Sequence, residues 1–596
     1  MRVKDYLKVL VIWRMLNAFF TRSYFQPDEF WQTLEPAHVK AFGYGELTWE
    51  WKIGLRSYAF PLLFEIVYYF VQIVSWITSK IVLLAVFMFS FMKDQLFPEN
   101  NLANMMYSEM VTFPEEVKNM FEYYGTIYGP KFLMALMAAI GEFYTVLLVR
   151  KMSLLILNKS DDNKGNSNTV CQLTVLLTLT NFFNCFFITR TFINSFEMIL
   201  TSIALYYWDW SGGDYIRTFD FTKSVLLALF ICLQRPTGVL IWGLLGLLLT
   251  LNLVHAKKWS ALSYLYAKVV VLLLLITAIN AAIDFYFYGE LVFPILRFVK
   301  FNFTSSLSIF YGKSPWNFHL IQSLPLILGY NIPFFMHSLY LKFPISSERF
   351  RFINPIIQFK AIIFFNVLFY SLIAHKEFRF LYPLQPFLIT LTTLDCYYWI
   401  DKYYPNDISR IFSKLKWYWW ILPTVAVFSS LVICAFNESG TILVMEYLHF
   451  QPKAKSVGFV MPCHSTPWQS YLHRNDIDDL WAITCDPPLH LLQDSAAIEK
   501  LGHYMDESDH LYDDIVKFIY TNFPPVFRED LRTPGREYAY EWPEYLIIFE
   551  HLDNIFMKDF LMDSQYQEVT RFFNTLQHWD SRRRGDVIVY HKRPLI

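Results

Sequence analysis

Residues 26–58 read QPDEFWQTLEPAHVKAFGYGELTWEWKIGLRSY. The stretch lies between a short apolar segment with basic residues at its start and a long apolar run, a place where a solvated connector is the ordinary expectation. Its content is unusual for one. Asp28 and Glu29 stand side by side where a membrane segment would end, and Trp31, Gln32, Glu35, His38, Glu46, Trp49, Glu50, Trp51 and Arg56 follow. Paired carboxylates with aromatics at a membrane surface suit a site that handles a polar group, such as a sugar, carried on a lipid. One reading of Asp28 and Glu29 is a helix-end pair neutralised by a helix N-terminus or by Arg56. The other is a general base whose ionisation is set by a partly dry pocket and by its neighbour.

The surroundings of this stretch are those of a membrane protein. Of 596 residues, 55% are hydrophobic and 17% charged, and the mean hydropathy is +0.29. Many uncharged windows reach the roughly 20 residues needed to cross ~30 Å of hydrocarbon. A formal net charge of −1 and the lack of a basic domain argue against a nucleic-acid partner. Interfacial belts and Phe-rich lipid faces account for most of the 19% aromatic content. Sugar stacking is the sharper reading of the tryptophans in 26–58.

Apolar segments are drawn at 5–22, 59–78, 80–97, 128–150, 171–189, 192–210, 223–235, 237–255, 263–286, 319–341, 356–374, 380–400 and 417–436. The weakest are 80–97, which would also suit the interface, and 223–235, interrupted by Gln234-Arg235-Pro236. The first is read as an uncleaved helix, because Thr21-Arg22-Ser23-Tyr24-Phe25 offers no small-residue cleavage site. The positive-inside rule then places scattered basic residues on one side: Arg2, Lys4 and Lys8; Arg150, Lys151, Lys159 and Lys164; Arg217 and Lys223; Lys257 and Lys258; Lys342, Arg349 and Arg351; Lys402, Arg410, Lys414 and Lys416. The other, luminal side collects 23–58, 98–127, Arg190–Asn194, Gln234–Pro236, 287–318, His375–Arg379 and everything after 437. The unusual polar clusters thus share one face. The connector 98–127 is read as a solvated acidic loop without chemistry. The polar run 158–168 is read as a linker, with its Asn158 sequon on the cytoplasmic side. The sequons at Asn302 and Asn437 fall on the luminal side and are candidates for glycosylation.

Two domains follow: a transmembrane catalytic part, 1–436, and a luminal soluble part, 437–596. In the second, short β-like runs at Gly458–Met461, Leu480–Thr484, Tyr545–Phe549 and Val587–Tyr590 alternate with helix-like stretches at Leu511–Thr521 and Asp553–Leu561, giving a small α/β domain. Five cysteines lie in apolar segments and read as small buried hydrophobes. Cys463 and Cys485 are both luminal, and a disulfide fits an oxidising compartment. The rival is a metal site with His464 and His490, whose spacing matches no common zinc pattern.

A second polar cluster, His375-Lys376-Glu377-Phe378-Arg379, packs four ionisable groups between two spanning segments. Charges so close to hydrocarbon are costly unless paired or used. They read either as an interfacial snorkelling cluster or as an anion site, with Lys376 and Arg379 for a phosphate and His375 hydrogen-bonding it. Arg235 is a further candidate for the same phosphate, and Arg190 with Glu197 would close a helical hairpin as an ion pair. A lipid-phosphate sugar donor would need a base, cations for the leaving phosphate and an apolar groove. Fixed Lys and Arg charges can take the place of a metal, so neither metal nor other cofactor is expected. No DxD-type signature marks a nucleotide-sugar donor.

These residues carry a resemblance. Pro27-Asp28-Glu29-Phe30-Trp31-Gln32, Tyr44-Gly45-Glu46-Leu47-Thr48-Trp49-Glu50-Trp51 and Leu55-Arg56-Ser57-Tyr58 resemble glycosyltransferase family 22, as do His375-Lys376-Glu377-Phe378-Arg379-Phe380, Arg190-Thr191 with Asn194 and Glu197, Arg235-Pro236-Thr237, and Tyr311-Gly312 with Pro315-Trp316. Met461-Pro462-Cys463-His464-Ser465-Thr466-Pro467 is similar to the branch that acts on the glycosylphosphatidylinositol (GPI) precursor. The resemblance implies the multi-spanning GT-C fold with about 11–13 membrane helices, in the endoplasmic reticulum membrane with a luminal site. It implies transfer of the third GPI mannose, in α1,2 linkage, from dolichyl-phosphate mannose with inversion. It also implies Asp28 as base with Glu29 as helper, His375, Lys376, Arg379 and Arg235 at the donor phosphate, and Trp31, Gln32, Trp49, Glu50, Trp51, Arg56 and Glu377 around the substrates. Gln26 departs from the family, where many members carry His. The alternatives are a dolichol-dependent mannosyltransferase acting on an N-glycan precursor or on the fourth GPI mannose, and a transporter of lipid-linked substrate.

Overall fold

The computed structural model describes residues 3–96, 105, 107, 110–157, 164–304, 312–341, 354–403, 412, 415–451, 454–489, 500, 503–527 and 531–593. Asn158, Lys159, Tyr311, Lys342, Arg349, Arg351, Arg410, Lys414 and His490 lie outside them, as do the side chains of Lys164 and Asn302. Among the described residues, six helices are long and apolar enough to cross a membrane: 61–95, 113–155, 236–255, 259–288, 355–372 and 417–436.

The bundle is organised by the 45-residue helix Phe113–Leu157. The first helix, Val3–Phe20, runs antiparallel to it, fixed by a buried ion pair in which Arg14 Nε donates to Glu142 Oε2 at 2.8 Å. Lys131 donates to the Thr21 carbonyl at 2.7 Å, which sets Lys131 level with the end of the first helix. Beyond Lys131 the long helix continues toward the C-terminal part, where Tyr123 stacks on His449 and Glu122 pairs with His473 at 3.4 Å. The expected acidic loop 98–127 is therefore helical from residue 113 onward.

The sequence placed two crossings at 59–78 and 80–97. The structure has one 36-residue helix there, Pro61–Leu96. It lies antiparallel to the outer half of Phe113–Leu157, with Ser75 donating to Glu122 at 3.3 Å. Glycines permit the approach: a Cβ on Gly125 would meet Val71 at 2.6 Å, and one on Gly129 would meet Val67 at 2.7 Å. This packing carries the helix along the side of Lys131 that faces the C-terminal part, not alongside the first helix. One helix thus stands where two crossings were expected, and the polar clusters still meet through Arg379–Asp28 and Arg190–Glu29. The expected segment 319–341 is also broken. Its helices Leu324–Leu328 and Ile332–Tyr340 are separated at Gly329, where φ is +56°.

Past the helix Gly440–His449 the chain forms one five-stranded sheet: β1 Ser456–Val460, β2 Asp479–Ala482, β3 Tyr545–Phe549, β4 Tyr566–Thr575 and β5 Gly585–Lys592, in the order β2-β1-β3-β5-β4. β1 is parallel to both β2 and β3, while β5 is antiparallel to β3 and β4. Alternation along the strands assigns the two faces. Val457, Phe459, Ile547 and Val589 join the core of the helical part, whereas Val460, Leu546, Ile548 and Ile588 pack on the sheet's own helices. The sheet is thus bonded to the bundle through shared apolar side chains. Four strands match the β-like runs. β4 escaped the sequence reading because YQEVTRFFNT is an edge strand with a mostly exposed, polar pattern and two register shifts against β5.

Candidate active site

The 23–58 stretch is folded, not a solvated connector. A π-turn at Phe30–Leu34 leads into the helix Glu35–Phe42, which stops at Gly43 with φ +83°. Tyr24 stacks on Phe30 at 5.0 Å and donates to the His464 carbonyl, and Trp31 Nε1 donates to the Thr466 carbonyl at 3.0 Å. Glu35, fully buried, accepts from the backbone N–H groups of Ser470 at 2.9 Å, Gln469 at 3.1 Å and Glu46 at 3.3 Å. Burial pushes its carboxyl up to about 7, against the pull of those donors. The loop is clamped between the helices and the sheet domain by backbone groups that sequence spacing could not reveal.

The two adjacent carboxylates have separate environments. Glu29 is 5% exposed and pairs at 3.0 Å with Arg190, itself fully buried. Arg190 also donates to Phe186 O at 3.0 Å, Ser23 O at 2.8 Å and Ser23 Oγ at 2.6 Å, and Thr191 Oγ1 donates to Glu29 O at 2.9 Å. Burial raises the Glu29 carboxyl, opposed by Arg190 and Lys131. This pair locks the loop to the turn before the helix Ile193–Tyr207, and it replaces the expected Arg190–Glu197 pair. Asp28 keeps 26% of its side chain exposed and accepts from Arg379 Nη2. Of the two, Asp28 is the carboxylate an incoming hydroxyl can reach.

Arg379 holds two carboxylates at once. Its Nε donates to Glu377 at 2.7 Å, while Nη2 reaches both Glu377, at 3.0 Å, and Asp28. His375 Nε2 lies 3.1 Å from Glu377. Burial alone would raise the Glu377 carboxyl, but Arg379 and His375 override it and hold it well below the ordinary range. The Arg379 guanidinium is held correspondingly up by Asp28 and Glu377 against burial. Asn194 at the start of the Ile193–Tyr207 helix donates to the Arg379 carbonyl at 3.0 Å, which fixes the cluster to the bundle. In this arrangement Arg379 orients Asp28, a use different from the phosphate contact read from sequence.

Lys376 has a different setting. Buried at 6% exposure, it donates to the Ser314 carbonyl at 3.0 Å and to Ile373 O, and no carboxylate pairs with it among the described residues. Burial lowers its ammonium. Arg235 caps the helix Phe219–Gln234, which ends there because Pro236 follows. It faces Glu197 at 3.4 Å.

The other expected substrate residues divide. Trp31 packs on His464 at 4.5 Å and on Trp468 at 5.6 Å beneath the sheet domain, and Trp51 is buried against Tyr58, Phe287 and Tyr288. Trp49 packs on Phe301 at 5.4 Å. These rings are committed to packing, a correction to the sugar-stacking reading. Arg56 pairs with Glu50 at 2.8 Å and not with Asp28 or Glu29, while Gln32 is half-buried on the π-turn. Cys463 and Cys485 are disulfide-bonded, with Cα atoms 5.6 Å apart. The disulfide brackets His464, half-buried, whose imidazole is pushed down to about 4 by desolvation and Arg583, with Asp28 pulling the other way. Reading the sequence alone missed His464 as a neighbour of Asp28; its place in the MPCHSTP run was the available signal. Asn437 sits on the turn into the sheet domain, half-buried, and Asn302 on the helix Pro294–Thr304.

The sequence pattern described as the Alg9-like mannosyltransferase family matches residues 6–473. Proteins named GPI mannosyltransferase 3 are similar over almost the whole chain. That of Kluyveromyces lactis is 52% identical over 99% of this chain and 99% of its own, and that of Saccharomyces cerevisiae 52% identical over 98% and 95%. That of Candida albicans is 34% identical over 98% and 96%. Among solved structures, ArnT from Cupriavidus metallidurans bound to undecaprenyl phosphate superposes with a TM-score of 0.50, covering 99% of this chain and 97% of its own at 11% identity. That likeness is one of fold, and the fold is the GT-C arrangement of membrane glycosyltransferases.

Proposed function

The chain belongs to the Alg9-like mannosyltransferase family, and from that premise we propose that it adds the third mannose, in α1,2 linkage, to a GPI precursor from dolichyl-phosphate mannose. It is a membrane glycosyltransferase. The relatives that support the acceptor are those named GPI mannosyltransferase 3, half-identical along nearly their full length. The lipid-phosphate donor is supported by the chemistry of the site and by a fold shared with a protein solved with a polyprenyl phosphate. The proposed location is the endoplasmic reticulum membrane, with the site and the sheet domain in the lumen.

The observation that carries the mechanism is the division of labour between neighbours: Glu29 is spent on Arg190, whereas Asp28 is reachable and oriented by Arg379. Asp28 takes the proton of the acceptor hydroxyl as that oxygen bonds to C1 of the mannose. The C1–O bond to phosphate breaks on the opposite face, and its electron pair leaves with the phosphate. One base and one displacement invert the β-linked donor to an α product. Lys376, a buried cation without a carboxylate partner among the described residues, is placed to meet the leaving phosphate, with His375 beside it. Arg379 stays on Asp28 and Glu377 and keeps the base oriented. Fixed cations fill the charge-stabilising role here, so no metal is assigned to the reaction.

The test is transfer by the purified protein from dolichyl-phosphate mannose to a two-mannose GPI precursor, with and without EDTA, followed by linkage mapping. One added α1,2-mannose in both conditions supports the reading. Transfer only to an N-glycan precursor or to a three-mannose GPI would overturn the acceptor. Loss of transfer in EDTA would overturn the metal-free assignment.

A further inference from the structure

One helical turn beneath the Asp28–Arg379 cluster lies a second group of polar atoms. Asn194, which holds the Arg379 backbone, and Glu197 are three residues apart on the same helix, hence on one face and about 4.5 Å apart along the axis. Glu197 is buried at 5% exposure, and its Oε2 makes no hydrogen bond. Arg235 Nη1 faces it at 3.4 Å, also without a hydrogen bond. Thr237 Oγ1, two residues on, is buried and lies within bonding reach of Tyr370. Tyr370 stands within reach of the charges of both Arg235 and Glu197, and its ring lies 5.9 Å from that of His319. His319 is fully buried; Nδ1 is bonded to Ser323 Oγ at 2.9 Å, and Nε2 has no partner.

Buried polar groups are nearly always hydrogen-bonded, so the unmade bonds of Glu197 Oε2, Arg235 Nη1 and His319 Nε2, on either side of Tyr370, mark places where something else bonds. The chemistry of the set selects what. A guanidinium alone would suit a phosphate, the use the sequence indicated for Arg235. The Glu197 carboxylate beside it cancels that charge and would repel an anion. A carboxylate that must accept, a guanidinium that must donate, and a hydroxyl and an imidazole that can do either match a neutral polyol, whose hydroxyls donate and accept together.

We propose that Glu197, Arg235 and the Nε2 edge of His319 bind the hydroxyl groups of the donor's hexose, and that these groups set which sugar is transferred. This rests on the lipid-phosphate-sugar donor of the preceding section. Phosphate is left to Lys376, and the sugar sits below Asp28 with its anomeric carbon toward the carboxylate.

The experiment compares equilibrium binding of dolichyl-phosphate mannose and of dolichyl phosphate, which lacks the sugar, to wild type and to Glu197→Gln. The variant should lose affinity for the mannosyl lipid by about tenfold or more, the size of one charged hydrogen bond, and change less than about twofold for the bare phosphate. Equal weakening for both lipids would move the pair to the phosphate, and unchanged binding of both would make it structural; either overturns the proposal. If wild type itself does not prefer the mannosyl lipid, the donor reading fails instead. Should the variant not fold, wild type is tested with donors lacking single mannose hydroxyls. At least one should bind about tenfold more weakly, and uniform affinity across the series overturns the proposal.

Discussion

Replacing Glu377 by Gln tests whether the charge cluster holds Asp28 in place. Glu377 accepts from Arg379 at 2.7 and 3.0 Å and meets His375 at 3.1 Å. Removing one member of a buried pair ordinarily costs about 3–5 kcal/mol. Here the side chains of Arg379 and Glu377 keep 10% and 18% exposure, and Arg379 retains Asp28, so the loss is smaller, about 2 kcal/mol. With Glu377 neutral, the guanidinium leans wholly on Asp28, which ties up the base and removes the fork that orients it. A 2 kcal/mol penalty expressed in the transition state corresponds to about a 30-fold fall in kcat/KM. The assay is initial-rate transfer from tritiated dolichyl-phosphate mannose, with the melting temperature followed in parallel. Arg379→Lys should fall further, because an ammonium cannot bridge two carboxylates in the planar fork of a guanidinium. A Glu377→Gln enzyme with wild-type rate and wild-type melting would refute the idea that this cluster positions Asp28.

Glu29→Gln should act on folding first. It leaves Arg190 with its bonds to Phe186 and Ser23, so the cost sits at the low end for a buried pair, about 3 kcal/mol, read as a lowered melting temperature. Glu35 gives a pH signature. Its folded carboxyl is raised to about 7 from 4.5, so the folded state holds the proton longer than the unfolded chain. The stability this contributes is full below about pH 4.5, declines as pH rises toward about 7, and is gone above it. Melting temperatures between pH 5 and 8 should show that decline in wild type, and Glu35→Gln should flatten it. Replacing both Cys463 and Cys485 with Ser frees the turn that carries His464 and Thr466 beside Trp31. Transfer should fall several-fold, as expected when a loop closed by about 20 residues loses its cross-link, and proteolysis within 463–485 should quicken.

What could be read from the sequence follows from how local each signal is. Apolar runs named the bundle segments because burial in hydrocarbon imposes length and composition residue by residue. The 26–58 stretch and His375–Arg379 stood out because charge near hydrocarbon needs a reason, and the structure brings them together through Arg379 and Asp28. Pairings made by tertiary approach were not legible. Arg190 and Glu197 are near in sequence, yet Arg190 turns to Glu29 and Glu197 to Arg235, because the 23–29 segment of the loop lies on the 187–191 turn. An aromatic beside a polar cluster reads as a sugar platform until its packing is seen: Trp31 is covered by the sheet domain, and Trp49 and Trp51 by residues 287–301. Residues 61–96 looked like two crossings because an apolar run of that length does not reveal where a helix breaks; the chain continues as one helix packed on Phe113–Leu157. β4 lacked an apolar run because only one of its edges is paired.

The most direct test of the account is the turnover of purified Asp28→Asn with dolichyl-phosphate mannose and the two-mannose GPI precursor, set beside its melting temperature and its donor affinity. Asparagine keeps the shape and an acceptor oxygen for Arg379 but cannot take the hydroxyl proton. The account predicts turnover below about 1% of wild type, in the range of lost general-base catalysis, with melting and donor binding close to wild type. Turnover near the wild-type rate in a folded, donor-binding Asp28→Asn protein would contradict it.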